Sequence, residues 1–394
     1  MEFRTIRREE ASEHIRLMQY AFGGYTTEEI KGEDVENVPI DTILAAFDST
    51  TLASGITVHP FKHSIRGASV SMAGIGGVAT RPEYRGKGLV RELLRKGFER
   101  MRASGQAVSM LRPFRERFYE QFGYVRSNGA IDYQISCRSF AQFAGKQGEI
   151  EACDIRDPTT RVRYFEALQK RFSDVHGRVL FEELDDKRFA KRFANRVALF
   201  ATRAGEVEAI ATYTKEGFLS EGKLEVADFL WRDADAREQL FAYFALHRDQ
   251  ISTITITLPY DTNIHAMIPG IEDRVEATYR GAPWMVRIIE PMQAFNGIPA
   301  RGEFEIVVGV SDPICESNNG AIRLEARDGT IAASATKAKA DVDLTIEAAS
   351  SLLYGTLSPE LFYREHQPDI HNEPAWDALM QALPPRTLFN DYWF

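Results

Sequence analysis

The residues Arg85-Gly86-Lys87-Gly88 have the types and spacing to hold an anion. They fall within VATRPEYRGKGLVRELL, residues 78–94, which reads as a strand, a glycine-punctuated turn and a helix. Glycine carries no Cβ, so at Gly86 and Gly88 the backbone can turn its N–H groups inward and approach a bound group closely. The positive N-terminal end of the following helix falls at the same point, and the combination suits a pyrophosphate. A Walker phosphate loop would need four residues between its glycines and then Lys-Ser/Thr, and the dinucleotide fingerprint a third glycine, so neither fits. The alternative is an ordinary glycine-rich turn between a strand and a helix.

Two further groups could move protons. The segment FRERFYEQFGYV, residues 114–125, contains Tyr119 and Tyr124. A phenol of pKa about 10 stays protonated at pH 7 and can protonate a leaving group. Plain aromatic core packing of Phe118, Tyr119, Phe122 and Tyr124 is the alternative. The second group lies at the end of the sequence, Leu388-Phe389-Asn390-Asp391-Tyr392-Trp393-Phe394. Burying a Trp and a Phe is worth several kcal/mol at ~25 cal/mol per Å², which predicts a docked tail. A docked end places the Phe394 α-carboxylate in a cleft; its ordinary pKa of about 3.5 makes it a weak base. Partial burial would raise that value, and a bridging water would extend its reach. Otherwise the aromatics only anchor the tail.

Positioning these groups requires a particular order of elements. From the N-terminus the pattern predicts a strand at 3–7, a helix at 8–22 and strands at 42–47, 51–59 and 69–79. After the turn come a helix at 89–103, a strand at 107–112, a short helix at 114–121 and strands near 124 and at 130–135. Residues 155–290 repeat this order less clearly, with helices at 160–172 and 236–247 and strands at 197–202, 208–215, 223–231 and 253–258. Where the first copy has its glycine turn, the second has Arg232-Asp233-Ala234-Asp235-Ala236. That turn lacks a glycine and puts two carboxylates where a pyrophosphate would sit, so the second copy is expected to keep the fold without binding cofactor. The third segment, from about residue 292, predicts strands at 321–326, 330–336 and 341–345, then a helix ended near Gly355.

Composition narrows the function. A length of 394 residues predicts two or three domains, and 44% hydrophobic with 27% charged residues is ordinary for a soluble globular protein. No apolar run approaches the ~20 residues of a membrane span, and the charged start MEFRTIRREE is unlike a signal peptide. A cytoplasmic protein with no membrane partner is therefore expected. Three scattered cysteines form neither a disulfide framework nor a zinc spacing, and the eight histidines show no HExxH, so no metal is expected. A net charge of −9 argues against nucleic acid as the main partner and suits a cationic acceptor.

Arg/Gln-x-x-Gly-x-Gly/Ala after a β-bulged strand is the acyl-CoA loop of the GNAT acetyltransferases, and Arg85-Gly86-Lys87-Gly88-Leu89-Val90 resembles it. With FYEQFGY, a second GNAT-like copy and a third segment similar to sterol carrier proteins, the chain resembles the Eis (enhanced intracellular survival) acetyltransferases over its whole length. The fold class this implies is α/β (α+β). Two tandem GNAT-like mixed-sheet domains, 1–150 and 151–290, would precede a sterol-carrier-protein-like α+β domain, 291–394.

The resemblance also implies acetyl-CoA as co-substrate and N-acetylation of primary amines on polycationic small molecules such as polyamines or aminoglycosides. It further implies a homohexamer. In that family the first Tyr of Y-x-x-F-G-Y is the general acid and the C-terminal carboxylate the general base; carried over, these are Tyr119 and Phe394. Cofactor contacts fall on Val78, Ala79 and Thr80 along the strand, on Arg85, Gly86, Lys87, Gly88, Leu89, Val90 and Arg91 at the turn, and on Phe114 and Arg115. Candidate acceptor-side carboxylates are Glu33, Asp34 and Asp391. Two other readings stay open, a protein lysine or N-terminal acyltransferase and a non-catalytic carrier working through the third domain.

Overall fold

The computed structural model describes residues 1–23, 30–146, 148–181, 184, 193, 195–271, 275–280, 283–390 and 392. Its strands begin with β1 (Glu2–Thr5), β2 (Ile43–Asp48), β3 (Thr51–Ile65), β4 (Ala68–Thr80), β5 (Val108–Leu111) and β6 (Val125–Arg126). Then follow β7 (Ala130–Ser136), β8 (Glu149–Asp154), β9 (Val179–Leu180), β10 (Val197–Arg203), β11 (Glu206–Glu216), β12 (Leu219–Trp231) and β13 (Ile251–Pro259). Last come β14 (Glu276–Tyr279), β15 (Met285–Ile288), β16 (Phe304–Ser311), β17 (Gly320–Arg327), β18 (Thr330–Thr336), β19 (Val342–Thr345) and β20 (Asp369–Ile370). They form three sheets. The first runs β1-β2-β3-β4-β5-β15-β6 with β9 paired to β3, the second β14-β7-β13-β12-β11-β10-β8, and the third β18-β17-β16-β19-β20.

The first two sheets exchange strands. β7, which the sequence placed with the first domain, pairs with β13 in the second sheet, while β15 returns to fill the first sheet between β5 and β6. Cuts at 150 and 290 therefore do not separate the two sheets. Alternating burial in AIDYQIS makes β7 legible as a strand, but the same alternation suits either sheet. The sheet a strand joins depends on partners that its own residues do not specify.

The first sheet is covered on both faces. On one face lies the helix Leu89–Ala103, which buries Leu89, Leu93, Leu94, Phe98 and Met101 against Ile56, Val58, Ala73 and Ile75. Their spacing is that of one face of an α-helix, and the strand residues alternate inward. On the other face Met72, Val108, Met110, Val286 and Ile288 share a core with Val308, Leu344, Leu352 and Leu353 of the third domain. The third domain is thus packed against the strands that carry the candidate site.

A buried polar network fastens that contact. The Arg66 guanidinium, at the β3–β4 hairpin, donates to the carbonyls of Leu353 at 2.8 Å, Leu352 at 3.1 Å and Pro384 at 2.8 Å. His176 accepts from the Arg66 N–H at 2.9 Å through Nδ1 and donates to the Tyr354 carbonyl at 2.9 Å through Nε2. His63 donates through Nε2 to the Gly177 carbonyl at 2.7 Å, leaving Nδ1 to accept from the Tyr354 hydroxyl at 3.1 Å. Burial lowers both imidazole pKa values, to about 4 for His63 and about 3 for His176. Both rings are therefore held neutral.

The tail docks beside this network. Leu388 and Phe389 are buried, and the Phe389 N–H donates to the His176 carbonyl at 3.0 Å. The Asn390 carbonyl accepts from Trp284 Nε1 at 3.0 Å, and Tyr392 lies edge-on to Phe181 with ring centroids 4.5 Å apart. Asp391, Trp393 and Phe394 lie outside the described residues.

Candidate active site

The first sheet opens where the site sits. Parallel pairing of β4 with β5 runs from Met72↔Val108 to Ile75↔Leu111 and stops there, while β4 continues to Thr80. A β-bulge falls at the same place. On the β3 side, Thr57 pairs with Gly76 and Gly55 with Ala79, so Gly77 and Val78 stand opposite Ile56 alone. Gly77 has φ +56°, and a Cβ there would lie 2.9 Å from Thr57 Oγ1 and 3.2 Å from Met18 Sδ. Only glycine fits this bulge, which bends β4 away from β5 and leaves one edge of Gly76–Thr80 without a strand partner.

The glycine turn closes one end of the opening. Gly86 and Gly88 both have φ +75°, with nothing within 4 Å of a Cβ built at either. Gly88, in the left-handed conformation, caps the helix Leu89–Ala103. The first N–H groups of that helix have no carbonyl within it to bond, so they are free to meet an anion. Arg85, Lys87 and Arg91 surround the turn. Lys87 Nζ lies 4.7 Å from the Tyr84 ring centroid, and Arg91 Nη2 donates to Gln121 Oε1 at 2.9 Å.

A cavity of about 630 Å³ joins the turn to the aromatic segment. Val78, Ala79, Thr80, Arg85, Gly86, Lys87, Gly88, Leu89, Val90, Arg91 and Phe114, all expected from the sequence, line it. Arg115 does not; it flanks the short helix Glu116–Glu120 in extended conformation with its side chain exposed. Ala21, Phe22, Tyr84, Phe118, Gln121 and Phe122 line the cavity as well and were missed. Phe118, Gln121 and Phe122 fall in the segment already singled out for its tyrosines, and their spacing along one helical turn was the available signal. Ala21 and Phe22, in the helical turn Gln19–Gly23, gave no signal of their own.

The two tyrosines differ in what their hydroxyls do. Tyr124 is buried beneath the sheet, and its hydroxyl is engaged by Ser109 Oγ at 2.7 Å, which in turn donates to the Ala73 carbonyl. Tyr119, expected as the acid, does not itself line the cavity; it is 2% exposed and packs edge-on against the lining residues Phe118 at 5.1 Å and Phe114 at 5.6 Å. Among the described residues no partner engages its hydroxyl. Burial, then the neighbouring Tyr124, raises the Tyr119 pKa, so the phenol stays protonated. Glu33 and Asp34 are exposed on the helix Gly32–Glu36 and do not line the cavity. Phe394 and Asp391 lie outside the described residues.

The second domain repeats the frame with a different turn. β12 and β13 are its parallel pair, and the bulge recurs: Thr212 pairs with Ala227 and Ile210 with Leu230, while Asp228 has φ +49°. At the turn Asp233 caps the helix Ala234–Ala245, accepting from the Ala236 N–H at 2.9 Å, and forms an ion pair with Arg203. Asp235 pairs with Lys146 at 2.7 Å. Carboxylates occupy the helix N-terminus and hold the nearby cations.

Among the described residues one group has metal-ligand chemistry, Asp343, Asp369 and His371, exposed on the third domain. None of the three lines the cavity. No helix among the described residues is long and apolar enough to cross a membrane.

Comparison with known proteins agrees with this geometry. Residues 2–126 match one acetyltransferase (GNAT) domain family and residues 176–288 another, and residues 292–387 match the sterol carrier protein domain family. Among solved structures, a GCN5-related N-acetyltransferase from Anabaena variabilis superposes with a TM-score of 0.84 at 19% identity, over 100% of both chains. A probable N-acyltransferase from Enterococcus faecalis gives 0.84 at 19%, over 100% of this chain and 99% of the other. Eis1 from Mycobacterium abscessus gives 0.80 at 15%, over 99% and 100%. At these identities the likeness is one of fold. No curated protein matches in sequence.

Proposed function

The chain is a GNAT-type acetyltransferase with an Eis-like arrangement of two GNAT domains and a sterol carrier protein domain, and from this premise we propose that it N-acetylates primary amines of polycationic small molecules. The supporting observation is the continuity of one cavity from the Gly86–Gly88 turn, along the unpaired edge of β4, to Phe114 and Phe118, the two lining rings that pack edge-on against Tyr119. Residues there fit acetyl-CoA. The open space around Gly86 and Gly88 leaves room for a pyrophosphate against the helix N-terminus, and the edge of Val78–Thr80 offers backbone groups to an extended amide chain.

Acetyl-CoA supplies an activated thioester. The backbone of Val78–Thr80 would hold it along the unpaired edge and would offer an N–H to the thioester oxygen, where charge develops as the amine attacks. Tyr119 donates its proton toward the departing sulfur. Burial keeps that proton on the phenol but also makes it harder to give up, so the transfer is completed only as the thiolate leaves. From the family resemblance we assign removal of the acceptor's ammonium proton to the Phe394 carboxylate; Leu388–Asn390 and Tyr392, which precede it, are docked beside the core shared with the third domain. The net charge of −9 favours cationic acceptors at long range.

Thiol release from acetyl-CoA, measured across polyamines, aminoglycosides and lysine peptides, tests the acceptor class. Polyamines or aminoglycosides should be the better substrates, and a preference for lysine peptides would move the function to protein modification. Tyr119→Phe should lower kcat roughly 10²-fold with little change in acetyl-CoA affinity. Unchanged turnover would remove Tyr119 from the mechanism.

A further inference from the structure

β15 reads Met-Val-Arg-Ile, three apolar residues and one arginine, and all four are buried. Arg287 therefore carries a fixed charge in the core, between Val286 and Ile288 of its own strand. Replacing such a pair by apolar residues is often neutral or stabilising, so stability alone does not explain its presence. Its partners come from the first and third domains. Nη2 pairs with Asp312 Oδ2 at 2.6 Å in the third domain, Nη1 donates to the Phe122 carbonyl in the first, and the guanidinium carbon lies 4.7 Å from the Phe98 ring centroid. Burial works against the charge, yet Asp312 and Cys315 more than offset it and hold the Arg287 pKa above its usual value.

The Phe122 carbonyl belongs to the turn that carries Tyr119. The Phe122 and Tyr124 N–H groups donate back to the Tyr119 carbonyl at 2.9 and 3.4 Å, and the Gly123 N–H donates to the Glu120 carbonyl at 2.9 Å. Gly123 has φ +78°, and a Cβ there would fall 1.8 Å from Arg287 Nη1, so the backbone approaches this closely only because the residue is glycine. Asp312 is itself immobilised. It accepts from the N–H groups of Ile314 and Cys315, both at 3.0 Å, and from Asn318 Nδ2 at 2.8 Å. Asn318 in turn donates to the Ile289 carbonyl and accepts from Arg102 Nη1 at 2.6 Å.

We infer that the Arg287–Asp312 pair is a positioning device for Tyr119, through which the third domain fixes the acid of the first. The inference rests on the reading of Tyr119 as the acid. Neither Arg287 nor Asp312 lines the cavity, so both act through the Phe122–Tyr124 backbone. A lysine at 287 would keep the charge but could not bond Asp312 and Phe122 together in the planar fork that a guanidinium provides.

Arg287→Lys and Asp312→Asn, each alone and each combined with Tyr119→Phe, test this by steady-state kinetics, with thermal melting as the check on folding. In the wild-type background each should lower kcat roughly tenfold with the acetyl-CoA KM within about twofold, and with Tyr119→Phe present neither should lower it further. An equal loss in both backgrounds, or full kcat in a folded variant, overturns the positioning role while leaving Tyr119 as the acid. Full turnover by Tyr119→Phe alone is a different result and overturns both assignments. If neither variant folds, hydrogen exchange on the wild-type chain decides. The Phe122, Gly123 and Tyr124 amides should exchange as slowly as those of β5; exchange as fast as at the exposed Gly86–Gly88 turn overturns the inference.

Discussion

The two GNAT domains share a parallel strand pair, a bulge and a helix, yet differ where the helix begins. In the first, Gly86 and Gly88 leave open space at the helix N-terminus; in the second, Asp233 and Asp235 fill it and hold Arg203 and Lys146 in ion pairs. The bulge is built from a different residue in each copy. Gly77 at φ +56° and Asp228 at φ +49° adopt nearly the same backbone, because aspartate is among the side chains that enter the left-handed region. Fold and site are thus separable. Strand pairing and helix packing maintain the frame in both copies, whereas the anion cradle exists only where side chains are missing.

The sharpest way to break this comparison is to write the second turn into the first. Gly86→Asp with Gly88→Asp should lower acetyl-CoA affinity roughly 10³-fold, since side chains at two positive-φ positions close the cradle and their carboxylates repel a pyrophosphate. Calorimetric titration reads this directly. Affinity that survives the double substitution would mean that the cofactor does not rest on this turn, or that the second domain binds it after all.

The sequence made the frame legible for a definite reason. Each predicted strand and helix of the first domain has a counterpart within a few residues, because one-sided burial leaves a period of 2 or 3.6 in the residues themselves. The glycine turn was legible too, since Gly86 and Gly88 have one physical use at a helix start. Arg115 was placed by the family resemblance, and a resemblance in sequence does not set where a side chain points: Arg115 is exposed and does not line the cavity. The exchange of β7 and β15 was not legible, nor was Arg287, whose partners Phe122 and Asp312 lie 165 and 25 residues away in the chain. Long-range pairing leaves no local pattern.

A smaller effect separates the domains by their acid sensitivity. His63 and His176, held neutral between the first and third domains, have folded pKa values near 4 and 3 against an unfolded value near 6.5. With the folded pKa lowered, the unfolded chain binds more protons below pH 6.5, so stability is present above that pH and falls as the pH drops toward 4. Lowering the pH from 6.5 to 5.5 should cost about 1 kcal/mol for each of the two histidines. His14, buried on the first domain with its pKa lowered to about 4, adds a contribution of the same sign. Denaturant unfolding at the two pH values, repeated on His63→Gln with His176→Gln, reads the difference. An unchanged slope in that variant would place the acid sensitivity elsewhere.

The smallest effect probes what the second turn does now. Asp233 accepts the Ala236 N–H and so satisfies an otherwise unbonded donor at the start of the helix Ala234–Ala245. Its pKa is held below the usual carboxylate value, first by that backbone N–H and then by Arg203, so the cap is charged at neutral pH. Asp233→Ala should therefore lower stability by about 1 kcal/mol, the cost of losing an N-cap; the exposed ion pair with Arg203 adds little. Acetyl-CoA affinity should be the same as in the wild-type chain. A variant that keeps full stability but binds a second equivalent of acetyl-CoA would show that the second frame still has the shape of a site, and that its carboxylates alone keep it closed.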